Sequence, residues 1–193
     1  MPRFTRAELE SFRGAEVPDL VGPGLRLLFV GINPGLMTAA LGIHFGNPGN
    51  RFRPALVGAG LLPPLDGAAP GMTEADLATL VARGVGITNL VRRATARADE
   101  LTQAELVAGG DRLLEFVAQH QPHVVAVLGV TAYRLAFARP KAALGRQPDA
   151  FAGSELWVVP NPSGLNAHET IASLATAYAE PARAAGIPGV GRA

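Results

Sequence analysis

Two loops hold the residues best suited to chemistry: Gly31-Ile32-Asn33-Pro34-Gly35 and Asn161-Pro162-Ser163-Gly164-Leu165. In each, a carboxamide side chain stands beside proline, with glycine close by. An amide can orient water or read a polar edge through hydrogen bonds. Its negligible proton affinity at neutral pH rules out strong general-base work. Glycine lets the backbone approach a ligand closely, and proline restricts the chain beside the amide. Asn33 and Asn161 are therefore candidates for holding a polar group in one orientation.

The flanking residues say what positions these loops. Leu25-Arg26-Leu27-Leu28-Phe29-Val30 precedes the first, and Leu156-Trp157-Val158-Val159-Pro160 precedes the second. Apolar runs stopped by Gly, Pro and Asn predict buried strands ending in tight turns. Further strands are predicted at 85–88 and 123–128. Helices are predicted at 5–13, from about 50, at 74–83 behind a Thr73 cap, at 131–138 and at 169–185. Thr102-Gln103-Ala104-Glu105 is a capping box for a long helix with Leu106, Leu113, Leu114 and Val117 on its buried face. The stretch 31–50 reads as one long loop.

Alternating strands and helices imply an α/β fold: three layers, α/β/α, around a four-stranded, mainly parallel central sheet. Residues 25–185 form a single domain, 1–24 an N-terminal arm and 186–193 a flexible tail. In such sheets ligands bind beyond the C-terminal ends of the strands, where both loops lie.

Composition narrows the chemistry. The hydrophobic fraction is 48% and the charged fraction 17%, which fits a packed core and excludes wholesale disorder. There are no cysteines, so thiolate zinc sites, iron–sulfur clusters and disulfides are excluded. His44, His120, His123 and His168 lack metal-ligand spacing, and no cofactor or metal is expected. No apolar run reaches the ~20 residues of a membrane span, and no signal-peptide pattern is present. The expected address is cytoplasmic. A net charge of +1 gives no broadly basic surface. Arg51 with Arg53, and Arg92, Arg93 and Arg97, form local groups suited to phosphate.

The run Gly31-Ile32-Asn33-Pro34-Gly35-Leu36-Met37-Thr38-Ala39-Ala40, followed by Gly42-Ile43-His44-Phe45-Gly46-Asn47-Pro48-Gly49-Asn50-Arg51-Phe52, resembles the first active-site motif of the mismatch-specific uracil/thymine-DNA glycosylases. These form the double-strand-specific branch of the uracil-DNA glycosylase superfamily. Asn161-Pro162-Ser163-Gly164-Leu165 resembles the second motif, and Gly84-Val85-Gly86-Ile87-Thr88-Asn89-Leu90-Val91 the middle segment. The resemblance covers about residues 24–180. Single-strand-tolerant uracil glycosylases differ, with Asp and Tyr in the first motif and His in the second.

The resemblance implies an enzyme that flips uracil from duplex DNA and cuts its N-glycosidic bond, best opposite guanine; glycosylases are a standard example of base flipping. It implies Asn33 as the water-orienting amide, and Ile32 and Phe45 as backbone contacts to the base edge. Phe45 would also stack on the base, and Thr38 would face its C5 edge. Leu165 would be the wedge filling the vacated stack, with Gly164 and Leu165 offering backbone groups to the opposite guanine. Asn161 and Ser163 would support DNA or the loop. The implied partner is double-stranded DNA holding a G·U mismatch or damaged pyrimidine, met by a monomer. Thymine and other modified pyrimidines would be weaker substrates. Asp99 lies in the irregular stretch after the 85–88 strand, close enough in sequence to be a candidate water activator. Two other readings stay open: a small nucleotide-binding hydrolase and a non-catalytic mismatch-binding module. The first lacks the Gly-Lys-Ser/Thr end of a P-loop.

Overall fold

The computed structural model describes residues 4–64 and 71–189. In chain order the elements are α1 (Arg6–Glu10), β1 (Leu27–Gly31), α2 (Leu36–Leu41), α3 (Phe52–Gly58), α4 (Glu74–Ala82), β2 (Val85–Asn89), α5 (Gln103–His120), β3 (Val124–Leu128), α6 (Val130–Ala136), β4 (Gly145–Arg146), β5 (Glu155–Val159) and α7 (Ile171–Ala184). The sheet order is β2-β1-β3-β5-β4. β1 pairs in parallel with β2 and β3, and β3 with β5; only β4 is antiparallel, on β5.

β1 is buried along its whole length because both sheet faces are covered. Its side chains alternate, as strand geometry requires. Leu27 and Phe29 join Phe52 and Leu56 of α3, Leu80 of α4 and Tyr178 of α7 in one core. Leu28 and Val30 join Leu113 and Val117 of α5 and Tyr133 of α6 in the other. From β1 the chain goes to β2 on one side and later returns to β3 on the other. That reversal opens a crevice between the C-terminal ends of β1 and β3.

The α/β/α class matches the expectation, but the sheet has five strands rather than four. β4 is only two residues long and carries no readable alternation. The 31–50 stretch is not loop throughout. It contains α2, which turns only Leu36 and Thr38 inward and stops at left-handed Gly42. So short a helix shows no amphipathic stripe. Leu114 is 46% exposed rather than buried, because it lies ~100° around α5 from the inward Leu113. Glu16 and Leu20 bridge to Arg93 and Ile87, so residues 16–20 of the expected arm run along the β2 edge. Within the expected tail Ile187 is buried, and Arg26 donates to the Gly186 carbonyl. Residues 190–193 lie outside the described residues.

Arg53 and Asp76 form a buried ion pair, Nε to Oδ2 at 2.9 Å, that ties α3 to α4. Burial by itself would raise the Asp76 pKa. Hydrogen bonds from Arg53 and Thr73 outweigh it and hold the carboxyl below its usual value. A depressed folded-state pKa stabilises above the unfolded value and loses that contribution as pH falls through the folded one. Urea unfolding is therefore expected to show stability dropping below about pH 4, with a smaller acid-dependent drop in Asp76→Asn. Equal drops in both proteins would remove Asp76 from the account.

Candidate active site

The ends of four strands meet around one cleft of about 180 Å³. β1 supplies Gly31 and the loop Ile32, Asn33 and Pro34; β2 supplies Asn89; β3 supplies Leu128; and the loop after β5 supplies Asn161, Pro162 and Ser163. Thr38 of α2, then His44 and Phe45, close one wall, and Thr95, Ala96, Arg97 and Ala98 close another. The volume falls below the ~300–1,000 Å³ of drug-sized ligand pockets, which suits a single flat ring better than a whole nucleotide.

Asn33 is locked in place. Its Nδ2 donates to the Thr95 hydroxyl at 2.7 Å, the Arg93 carbonyl at 3.1 Å and the Pro34 carbonyl at 3.2 Å. Carbonyls only accept, so the amide nitrogen must be the atom on that side. Thr95 donates in turn to the Arg97 carbonyl at 2.7 Å, which leaves its oxygen to receive Asn33. The Oδ1 atom thus remains as an acceptor pole in the cleft wall. Among the described residues lining the cleft, none is acidic.

Asn89 is buried, with its amide against Gly31: a Cβ at position 31 would meet Asn89 Oδ1 at 2.4 Å and the Phe45 ring at 3.4 Å. Glycine at the end of β1 is what lets this amide and ring converge. Arg112 of α5 holds the Asn89 and Leu90 carbonyls from behind. Phe45 sits at φ 53°, a left-handed conformation that costs a bulky residue energy. Such strain clusters at functional sites. Its ring lies on Phe52 at 4.0 Å between centroids, tilted by 31°. His44 is buried, and its Nε2 bonds the Pro18 carbonyl at 2.9 Å. Burial lowers its pKa, despite the raising influence of Pro18 and Asp19. A carbonyl partner keeps the proton on Nε2, so the neutral ring retains Nδ1 as an acceptor.

The second loop is tied to the first. The Asn161 side chain accepts from Ser163 N at 2.9 Å, and Asn166 donates back to the Asn161 carbonyl at 3.1 Å. The Arg51 guanidinium donates to the carbonyls of Ser163, Asn166 and Glu169, and its backbone N–H donates to the Pro162 carbonyl at 3.0 Å. A Cβ on Gly164 would meet the Gly49 carbonyl at 2.7 Å. At the apex Leu165 is 88% exposed, an apolar side chain held in water by a braced turn.

The cleft brings together Ile32, Asn33, Thr38, Phe45, Asn161 and Ser163 of the sequence candidates, with Gly164 and Leu165 on the adjoining loop. Asp99 does not line it. Asp99 sits in a single 3-10 turn, Ala98–Glu100, its side chain 63% exposed and paired with Arg97. Arg51 and Arg53 are not phosphate ligands in waiting: one is spent on loop carbonyls and the other on Asp76. Sequence reasoning assigned no role to Asn89, His44 or Thr95. For Asn89 the signal was present, an amide ending an apolar run just as Asn33 follows one. For His44 the Pro18 carbonyl, and for Thr95 the Asn33 amide, lie far off in sequence and gave no local sign.

The fold is similar to that of a proposed uracil DNA glycosylase from Methanosarcina acetivorans, solved by solution NMR. The two share 16% identity at a TM-score of 0.54, over 88% of this chain and 97% of the other. At that identity the likeness is one of fold. The sequence itself matches the family model of the uracil DNA glycosylase superfamily over residues 18–180, a span that takes in every wall of the cleft. On a match that spans most of its length, this chain belongs to the uracil DNA glycosylase superfamily.

Proposed function

We propose that the protein is a monofunctional DNA glycosylase of the mismatch-specific branch, acting as a monomer on chromosomal DNA inside the cell. It flips uracil, preferentially opposite guanine, and hydrolyses the N-glycosidic bond to leave an abasic site. The observation that carries this reading is the locked amide of Asn33 in a cleft without a lining carboxylate. Superfamily membership supplies the reaction class.

The steps follow from these groups. Leu165 enters the stack as the base leaves it, as apolar wedges do at unstacked steps. Gly164 and Leu165 offer backbone groups to the unpaired guanine, while Asn161 and Ser163 keep the turn in shape. The flipped ring lies on Phe45, whose other face is already supported by Phe52. Backbone groups of Ile32 and Phe45 meet the base edge, and the Asn89 amide lies within the same wall. As the C1′–N1 bond breaks, its electron pair passes to the uracil ring and positive charge grows on the sugar. Donors at the oxygens of the base stabilise the anion. Water held by Asn33 Oδ1 adds to C1′ and loses its proton to solvent.

Thr38 is 7% exposed in the cleft wall, so a thymine methyl at the C5 edge would compete for filled space. Overpacking of this kind costs ~1–3 kcal/mol. Thymine opposite guanine is expected to be excised ~10-fold or more slowly than uracil, and Thr38→Ala to narrow the gap. Equal single-turnover rates on G·U and G·T in the wild type would discard the steric argument.

The direct test is incubation with duplexes carrying G·U, A·U or G·T, followed by alkali. Alkali-labile sites that form fastest at G·U support the reading. Binding without labile sites would favour a mismatch-binding module. Release of phosphate from a free nucleotide would favour the hydrolase.

A further inference from the structure

We infer that Arg97 is a phosphodiester-binding group at the rim of the cleft, held in reserve by Asp99 until DNA displaces it. The inference rests on the DNA-glycosylase reading and adds the point at which the strand is gripped. Five arginines are candidates for phosphate, and the structure spends most of them elsewhere. Arg51 braces the second loop and Arg53 is buried on Asp76. Arg93 grips both carboxylate oxygens of Glu105, at 2.5 and 3.0 Å. Arg92 faces Glu16 at 3.2 Å and does not line the cleft. Arg97 lines the cleft, and its side chain is 70% exposed.

The Arg97 backbone is anchored, while its side chain is held by the exposed Asp99. Its carbonyl accepts from Thr95, the residue that also receives the Asn33 amide. Its N–H donates to Glu100 Oε1 at 2.8 Å, and Glu100 is itself held by Arg13. The guanidinium therefore starts from a point set relative to Asn33. Its Nε and Nη2 hold the two Asp99 oxygens at 3.1 and 2.5 Å. That fork fits two oxygens of a phosphodiester equally well. An ion pair this exposed adds little stability, so giving it up costs little. The incoming phosphate brings a gain that Asp99 cannot, the release of condensed counterions. Asp99 is then a placeholder that occupies the Arg97 fork before DNA arrives.

Binding to a duplex with a tetrahydrofuran abasic analogue opposite guanine, titrated across salt concentrations, tests this without substrate turnover. Arg97→Ala is expected to weaken binding ~5–20-fold at low salt and to reduce the slope of log affinity against log salt by about one. Asp99→Asn is expected to tighten binding ~2–5-fold by freeing the fork. Removing any negative charge near DNA would also tighten binding, so the double variant decides. Asp99→Asn should tighten binding clearly less once Arg97 is Ala, because only the general charge effect then remains. A wild-type slope in Arg97→Ala, or undiminished tightening by Asp99→Asn without Arg97, overturns the proposal. Failure of the glycosylase reading looks different: no base release from G·U DNA, with the Arg97-dependent slope intact, would leave a phosphodiester site on a protein that does not excise.

Discussion

Asn33→Ala is expected to slow base excision by ~10²–10³-fold under single-turnover conditions while DNA affinity stays close to wild type. The size follows from what the side chain does in its wall. Its nitrogen is committed to Thr95, Arg93 and Pro34, so its oxygen cannot rotate away from the cleft. On the proposed mechanism, a water bound there would be oriented before the glycosidic bond breaks. An alanine leaves the water free to tumble and the Thr95 oxygen short of a donor. None of the described residues lining the cleft offers a carboxylate to take over. Affinity should survive because Phe45 and Leu165, the proposed stacking ring and wedge, and the braced loop are untouched. Thr95→Val, which removes one of three restraints on the amide, should cost less than Asn33→Ala and act on rate rather than on affinity. A near-wild-type rate in Asn33→Ala would take the amide out of the mechanism.

The second large effect is structural. Arg51→Ala is expected to lower affinity for an abasic-analogue duplex by ~10²-fold and also to lower the melting temperature by roughly 10 °C or more. Three loop carbonyls lose a charged donor. Hydrogen bonds to charged groups contribute ~1.5–3 kcal/mol each, and a protein of this size loses roughly 2–4 °C per kcal/mol. Arg51→Lys should rescue poorly, because one ammonium cannot reproduce a planar fork reaching separate carbonyls. Leu165→Ala separates the two consequences. Its side chain is almost fully exposed, so the fold should not notice its loss. Its removal should still weaken binding on the scale of unstacking one base step, a few kcal/mol. Thermal melts and equilibrium binding on both variants check this. Arg51→Ala binding as tightly as wild type would mean that the loop needs no brace.

What was legible in the sequence was whatever the chain signals locally. β1, β3 and β5 announce themselves as buried apolar runs cut off by Gly, Pro or Asn, and the two loops that line the cleft follow β1 and β5 directly. Thr73 and Thr102 are caps in the structure as their spacing indicates, each in a reciprocal box with the residue three positions on. What stayed hidden depends on pairing through space. β4 is strand only because β5 lies beside it. The Arg51 and Arg53 pair looked like a phosphate site because residue type does not reveal which acceptors lie within reach. One of their anchors, Asp76, is 23 positions away from Arg53, and the loop carbonyls are more than 100 away from Arg51. Asp99 is near the rim in sequence, yet its 3-10 turn directs the carboxylate to solvent and into the Arg97 fork. Thr95 illustrates the converse: an unremarked residue in an irregular stretch becomes the anchor of the central amide.

The most direct test of the account is a product analysis. A duplex with one G·U pair is incubated with excess enzyme, and the products are identified by mass before any alkali is added. The account predicts free uracil together with an uncut strand carrying one abasic site, and almost none of either with Asn33→Ala over the same time. An unchanged G·U strand with no free uracil, or equal uracil release by Asn33→Ala, would contradict it.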